Sequence, residues 1–302
     1  TACCCVFPVN RYLCFFAKQG GIPMKILLLT VCIAVFLFCL YFYCIMPRFS
    51  RKKEAKKFLH YLFAHRGLFT PDQSIPENSM AAFTHAIRHG YGIELDIQLT
   101  KDKQVVVFHD HTLTRMCGID LPVCEMTYEE LQKFSLLHTE EKIPLFEDVL
   151  KLVKGKVPLL IEIKLPTIRT ETCVLADRLL RQYNGDYCIE SFNPLALGWY
   201  KKHRKDVIRG QLSANLTRPV AEGGYILCFL VKYLLLNFIG RPDFIAYCYK
   251  DTQNVSFLLN KCLWHTPTFA WTVRSEQVLK TSVKKFDSVI FDSFVPTNEY
   301  SV

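Results

Sequence analysis

The chain has 302 residues, half of them apolar, which is enough to bury a large core and excludes a mainly disordered chain. Its net charge is +9, but the first 57 residues hold nine Lys or Arg against one acid, Glu54. The rest of the chain has an excess of only +1, which argues against a protein that binds nucleic acid through a basic body.

The N-terminus is interpreted as a leader that comprises residues 1–25. Met24-Lys25 directly precedes an apolar run and is typical of a start. The segment KQGG just upstream matches what a purine-rich ribosome-binding sequence would encode, which favours a bacterial source. Whether the leader is translated stays open.

Residues 26–46, ILLLTVCIAVFLFCLYFYCIM, form an apolar run of 21 residues without a charge. As a helix this run is about 30 Å long, which matches the hydrocarbon thickness of a bilayer. A buried core helix would carry a polar stripe, and a cleaved signal peptide would end in a small-residue cleavage site. The run therefore predicts one transmembrane helix.

Residues 47–57 are predicted to be a basic juxtamembrane linker with six Lys or Arg, against three before the span. Because positive charge marks the cytoplasmic side, we predict a single-pass protein of the cell membrane with its body in the cytoplasm. Cysteines without zinc spacing agree with a reducing compartment. Residues 58–302 are predicted to be the domain, and to fold and act without residues 1–57.

Short apolar runs alternate with helical patterns through this domain, which is typical of a parallel α/β architecture. The second and third of nine candidate strands are about six residues apart, too few for a parallel crossover, and predict a hairpin. We predict an α/β fold, a TIM (β/α)8 barrel, and leave open which strand lies outside it. The candidates are Tyr61–Ala64, Ile93–Gln98, Val105–Phe108, Leu159–Ile163, Tyr187–Ser191, Val207–Gln211, Phe244–Tyr247, Thr268–Thr272 and Ser288–Phe291.

Two further segments interrupt the alternation. A short insertion at about 110–145 follows the third strand, and its capping-box pattern predicts a helix near Tyr128–Phe134. The apolar run Tyr225–Ile239 contains Lys232 and is too short to predict a second span. It is expected to form a helix that is buried or touches a membrane.

Charged residues stand within and at the ends of several candidate strands. Glu94 and Asp96 lie on one side of their strand, and Glu162 repeats the pattern on another. Three carboxylates at the C-terminal mouth of a barrel are the usual oxygen cage for Mg²⁺ or Ca²⁺. His65 and His109 end their strands at the same mouth, where one imidazole can accept a proton while the other donates one.

Five stretches together resemble the glycerophosphodiester phosphodiesterase family, of the phospholipase-C-like TIM-barrel type. They are AHRG, PENSMAAF, GIELDIQLTKDKQVVVFHD, LLIEIK and FAWTV, in the family's order between residues 62 and 292. The resemblance implies that His65 and His109 are the acid/base pair. The implied ligands of a divalent metal, Mg²⁺ or Ca²⁺, are Glu94, Asp96 and Glu162.

The resemblance also implies that Arg66 and Lys164 hold phosphate oxygens and that Trp271 packs near the glycerol moiety. Glu77 is expected to brace a loop. No site role is assigned to Asp292, because the final strand, VIFDSF, lacks the threonine that many members have before the aspartate.

The implied reaction is the hydrolysis of a glycerophosphodiester to an alcohol and glycerol 3-phosphate at the membrane. One alternative is a lysophospholipase D that acts on monoacylated lipids, and another is a catalytically retired, membrane-tethered binding module. The head group, the metal, the attacking nucleophile, the oligomeric state and any protein partner stay open.

Overall fold

The computed structural model describes residues 24–165, 168–218 and 224–297. The predicted leader, residues 1–25, lies outside this range except for Met24 and Lys25. The chain divides into two compact units, one ending at Tyr43 and one beginning at Cys44. Helix α1, Met24–Ile45, is long and apolar enough to cross a membrane and lies where the span is predicted.

Eight parallel strands form a closed barrel, which confirms the predicted fold class. The barrel closes because β1 pairs with both β2 and β9. The ninth strand, β3, pairs antiparallel with β2 and is the one outside the barrel. The strands are β1 Leu62–Ala64, β2 Gly92–Leu99, β3 Val105–Val107, β4 Leu159–Ile163, β5 Tyr187–Ser191, β6 Arg209–Ser213, β7 Phe244–Cys248, β8 Thr268–Val273 and β9 Ser288–Phe291.

Helices follow most of these strands and cover the barrel. In the insertion, Thr127 caps α5 through the predicted capping box with Glu130. After α1, the helices are α2 Lys52–Ala55, α3 Met80–Arg88, α4 Thr114–Cys117, α5 Tyr128–Leu131, α6 Phe146–Val153, α7 Glu171–Leu180, α8 Pro194–His203, α9 Gly224–Lys232, α10 Asn237–Gly240, α11 Val255–Leu258 and α12 Glu276–Ser282. A π-helical turn, Leu259–Leu263, extends α11.

The barrel interior is filled by aromatic side chains below the carboxyl ends of the strands. The ring of Phe269 lies 4.5 Å from that of Phe244 and 5.8 Å from that of Phe63, centroid to centroid. Gly210 leaves the space that Phe244 occupies, because a Cβ atom there would lie 2.0 Å from the ring. The interior is a packed core, so chemistry is confined to the mouth.

The segment predicted as a linker packs against the barrel instead. Arg48 donates from Nε and from a terminal nitrogen to the two carboxylate oxygens of buried Asp243, at 2.6 and 2.9 Å. Ala55 and Phe58 join the apolar cluster of the barrel interior. The sequence revealed the charges of this segment but not which residues they meet. Residues 44–57 therefore belong to the same compact unit as the barrel, while folding and activity of residues 58–302 alone stay a prediction.

We predict that Arg48→Ala lowers the free energy of unfolding by about 3 kcal/mol, because it leaves the Asp243 carboxylate buried without its cation. Lys57→Ala is the matched control, since Lys57 pairs with Asp186 in solvent and should contribute less than about 1 kcal/mol. Denaturant unfolding of the full chain in detergent measures both. Equal losses of unfolding free energy in the two variants would show that the contact between Arg48 and Asp243 does not stabilise the fold.

Candidate active site

Three acidic side chains meet inside the mouth of the barrel. Glu94 and Asp96 point inward from β2, while the residues that alternate with them join the outer core. The register of β2 and β4 sets Asp96 beside Glu162. One oxygen of each of the three buried carboxylates lies within 4.8 Å of the others. Two oxygens bound to one Mg²⁺ or Ca²⁺ are at most about 5 Å apart, so the cluster fits such an ion.

The charges of this cluster are only partly compensated by the protein. Burial raises the pKa of Glu94 well above its usual value, and repulsion from Asp96 adds to the effect. Burial would also raise the pKa of Asp96, but Lys164 and other cations outweigh it and hold that pKa well below its usual value. Lys164 Nζ lies 2.9 Å from Asp96 Oδ1 and 2.7 Å from Glu162 Oε1. A further cation would relieve the remaining repulsion.

His65 follows β1 and is fixed by the last strand of the barrel. Its backbone N–H donates to the carbonyl of Phe291 at 2.8 Å, and its Nδ1 lies 2.9 Å from Asp292 Oδ2. Burial tends to raise the pKa of Asp292, but the hydrogen bonds from His65 and Ser293 and the positive charge of Arg274 together outweigh it and lower that pKa. An ionised carboxylate only accepts, so Nδ1 carries the proton and Nε2 is left as an acceptor. No site role was assigned to Asp292 from the sequence, whereas the structure places its carboxylate against His65.

Burial lowers the pKa of His65 itself, against the raising effect of the hydrogen bond to Asp292. The neutral imidazole is therefore favoured near neutral pH. This is the protonation state that a general base needs.

The turn after His65 wraps around the acidic cluster. Gly67 adopts φ +79°, and a Cβ atom there would lie 2.9 Å from that of Ala82, so this turn requires glycine. The backbone N–H of Arg66 donates to Glu94 Oε2 at 2.9 Å, and its guanidinium donates to Glu77 Oε1 at 2.7 Å. The predicted phosphate-binding cation is thus held among carboxylates.

His109 reaches the mouth on the hairpin outside the barrel. The backbone N–H of Phe108 donates to the carbonyl of Asp96 at 3.0 Å, which returns the next residue to the level of the acidic cluster. Nδ1 of His109 lies 2.6 Å from Asp110 Oδ1, and the pKa of Asp110 is lowered by hydrogen bonds from His109 and Arg115 that outweigh its burial. As in His65, the protonated Nδ1 leaves Nε2 free to react.

A chain of ion pairs connects the segments that carry the two histidines. Arg115 of α4 donates to Asp110 at 2.7 Å and to Glu77 at 2.7 Å, and Glu77 accepts from Arg66. This agrees with the predicted bracing role of Glu77. The sequence offered no signal for Arg115, because its partners are distant in the chain or lie in a loop.

Two more side chains border the site. Trp271 of β8 lies edge-on to Phe192 at 5.6 Å, and its buried Nε1 has no hydrogen-bond partner among the described residues.

Glu190 of β5 stands next to Glu162 in the strand register. Burial, then repulsion from Glu162, raises the pKa of Glu190 well above its usual value. Glu190 was not among the predicted site residues, although its place in a candidate strand was a usable signal.

All eight predicted site residues therefore lie in or around one mouth of the barrel. The carboxyl ends of the strands carry the active sites of TIM-barrel enzymes, and paired imidazoles beside a carboxylate cluster are suited to acid–base chemistry on an anionic substrate. Fold and site define a TIM-barrel hydrolase. Residues 65–220, just over half of the chain, match the Glycerophosphoryl diester phosphodiesterase family. The chain belongs to this family.

Relatives and solved structures agree with this assignment. A Glycerophosphodiester phosphodiesterase of Caldanaerobacter subterraneus is 29% identical over 76% of this chain and 93% of its own length. One of Bacillus altitudinis is 44% identical, but over 34% of this chain and 44% of its own length. The human protein named Lysophospholipase D GDPD1 is 37% identical over 29% of this chain and 27% of its own length.

The fold is shared with an Oleispira antarctica phosphodiesterase, solved in complex with the product sn-glycerol-3-phosphate. The two structures have a TM-score of 0.62 and are 22% identical, over 76% of this chain and 92% of that one.

We predict that Glu190→Gln stabilises the metal-free protein at pH 8 but not at pH 5. The folded protein holds a proton on Glu190, so it loses stability as the pH rises from the ordinary value of 4.5 through the raised pKa. Gln removes this loss. Thermal unfolding in chelator measures the difference, and Glu147→Gln, on an exposed face of α6, is the control. A Glu190 variant that unfolds at the same temperature as wild type at pH 8 would contradict the buried, protonated state.

Proposed function

We propose that the chain hydrolyses glycerophosphodiesters to an alcohol and glycerol 3-phosphate by acid–base catalysis with His65 and His109. The observation that carries the proposal is that both imidazoles hold Nδ1 on an ionised carboxylate beside the acidic cluster. Each then presents Nε2 for proton transfer. Family membership supports the substrate class.

Glu94, Asp96 and Glu162 would hold a divalent cation, Mg²⁺ or Ca²⁺, which when bound supplies Lewis-acid stabilisation of charge on phosphoryl oxygens. One histidine removes a proton from the attacking hydroxyl, which belongs either to water or to the glycerol of the substrate. The other, in its imidazolium form, donates its Nε2 proton to the departing alcohol oxygen. If the glycerol hydroxyl attacks, water then opens the cyclic phosphodiester to give glycerol 3-phosphate.

The surrounding side chains would position the substrate. Lys164 and Arg66 supply positive charge at the mouth, and each can share its N–H groups between the carboxylates and phosphate oxygens. The unpartnered Nε1 of Trp271 is a donor for a glycerol oxygen. These contacts would favour a phosphodiester with a small polar glycerol end.

We further propose that the enzyme is anchored in the cell membrane by α1, with the barrel in the cytoplasm. The length and apolar composition of α1 support a span, and the basic residues after it support this orientation.

A lysophospholipase D is the second candidate. The run Tyr225–Ile239 overlaps α9, whose exposed apolar residues could contact the acyl chain of a substrate. One relative is named as a lysophospholipase D. A retired binding module is disfavoured, because both histidines and all three carboxylates are retained at a buried site where their charge is costly.

We predict that His65→Ala and His109→Ala each lower turnover by about 10² to 10⁴ while metal affinity is largely unchanged. Glu94→Gln, Asp96→Asn and Glu162→Gln should weaken metal binding, so that excess Mg²⁺ or Ca²⁺ restores part of the activity. Metal titration by calorimetry, with turnover measured in parallel, separates the two groups. Complete rescue of a histidine variant by metal, or full activity of wild type in chelator, would refute the assignment.

We expect alcohol release from deacylated glycerophosphocholine and glycerophosphoethanolamine to exceed release from the monoacylated lipids by at least about tenfold in kcat/KM. The reason is the polar character of the mouth, where imidazoles, carboxylates and cations meet. Assays of choline and ethanolamine release with the full chain in detergent decide between the two candidates. The reverse order would establish the lysophospholipase D.

A further inference from the structure

The apolar side chains that the barrel unit exposes are concentrated in one segment of the chain. Its helices α9 and α11 are joined by the side-chain amide of Asn254, which donates to the carbonyl of Lys232 at 3.1 Å. Among the described residues from Cys44 onward, thirteen large apolar side chains are exposed, and seven of them lie between positions 225 and 263. Scattered apolar residues are normal on a surface, whereas a cluster marks an interaction site. We call this cluster the α9–α11 face, which consists of Tyr225, Ile226, Leu227, Phe229, Val255, Leu258 and Leu263.

The α9–α11 face borders the mouth of the barrel. The hydroxyl of Ser213, the last residue of β6, donates to the carbonyl of Val231 at 2.9 Å. The hydroxyl of Tyr247, near the end of β7, donates to the carbonyl of Lys232 at 2.9 Å. Both strand ends form the rim of the mouth, so the C-terminus of α9 lies at the level of the site.

The point where the apolar helix α1 ends lies next to the same face. Ile45 is the last residue of α1 and is fully buried in the barrel unit. The side-chain amides of Asn237 and Asn260 donate to its carbonyl at 3.0 and 3.1 Å. Asn237 begins α10, five residues after α9, and Asn260 lies in the π-helical turn that extends α11, so segments that follow both helices contact the end of α1.

The charge around the face suits an anionic lipid surface. Residues 224–265 include four basic side chains and two acidic ones. Both acids are engaged internally, since Asp243 accepts from Arg48 and Asp251 accepts from the backbone N–H of Asn215 at 2.8 Å. Among the four bases, Lys250 is exposed and would meet anionic head groups.

We propose that the α9–α11 face is an interfacial contact that rests on the lipid bilayer beside the mouth. The acyl chain of a monoacylated glycerophosphodiester, the less favoured of the two substrate types, would stay in the membrane while its phosphodiester enters the barrel. This inference rests on the proposed membrane anchoring and on the proposed phosphodiesterase activity. Continuity with the end of α1, together with the basic charge, favours lipid over a second copy of the chain as the occupant.

Photo-crosslinking in vesicles of phosphatidylcholine and phosphatidylglycerol tests the contact with the full chain. Benzoylphenylalanine replaces one residue at a time: Ile226 on the face, Val35 in α1 as the reference for a span, and exposed Lys151 of α6 as the negative control. We expect lipid adducts at positions 226 and 35 and none at 151. Because this readout does not depend on turnover, it is independent of the proposed activity.

Each other outcome has a distinct meaning. Adducts at 35 without adducts at 226 would overturn the contact but leave the anchor intact. Protein–protein adducts at 226 would assign the face to a second copy. Absence of adducts at both positions would overturn the anchoring and the contact together.

A double variant, Ile226→Ser with Phe229→Ser, connects the contact to the substrate. Neither residue belongs to the proposed catalytic machinery, so turnover of soluble glycerophosphocholine should be unchanged. The rate on lysophosphatidylcholine presented in vesicles should fall by about tenfold, because the lost apolar burial weakens the contact. Equal rates on the vesicle substrate for the variant and wild type would refute the substrate-access role.

Discussion

The burial of acidic side chains inside the barrel mouth is the constraint on which the rest of the site depends. One carboxylate oxygen of each of Glu94, Asp96 and Glu162 lies within 4.8 Å of the others. Glu190 stands beside Glu162 on the next strand. Such a group does not persist in a protein interior without compensation. Lys164, Arg66 and the amide of Asn78 supply part of it, the last by donating to Asp96 at 2.9 Å. The turn after β1 and the end of β4 therefore place a cation, Arg66 or Lys164, against the acidic cluster.

Much of this arrangement is visible in the sequence, because the alternation of apolar and acidic residues is a local property of one strand. Short apolar runs predicted the nine strands, and their spacing predicted the hairpin. The two-residue spacing of Glu94 and Asp96 put both on one side of their strand. The sequence did not predict the site roles of Asp292 and Glu190, since their relation to His65 and Glu162 depends on barrel closure and on the register between strands. The packing of residues 44–58 was hidden for a related reason: the sequence shows the charge of Arg48 but not the buried Asp243 that it meets.

The insertion at about 110–145 helps to orient one of the two histidines. It has a small apolar core that includes Leu113, Met116 and Leu131. This core positions Arg115, which donates to Asp110 and Glu77. His109 is thus oriented by a segment that lies outside the closed sheet, whereas His65 is oriented by the sheet itself. The two proposed acid–base groups therefore depend on two apolar clusters, which β3 and the Arg115 ion pairs connect.

The pairing of His65 with Asp292 spans 227 positions of the chain and coincides with the closure of β1 on β9. Contacts of such high sequence separation form late in folding, because their loop-closure entropy is lost before other contacts reward it. During synthesis, β9 emerges from the ribosome after all the other strands of the barrel. A nascent or C-terminally truncated chain would hold its first histidine without the carboxylate that orients it. Hydrolytic competence would thus be acquired only once β9 has been synthesised and has closed the barrel, after the preceding helices and strands have had time to assemble.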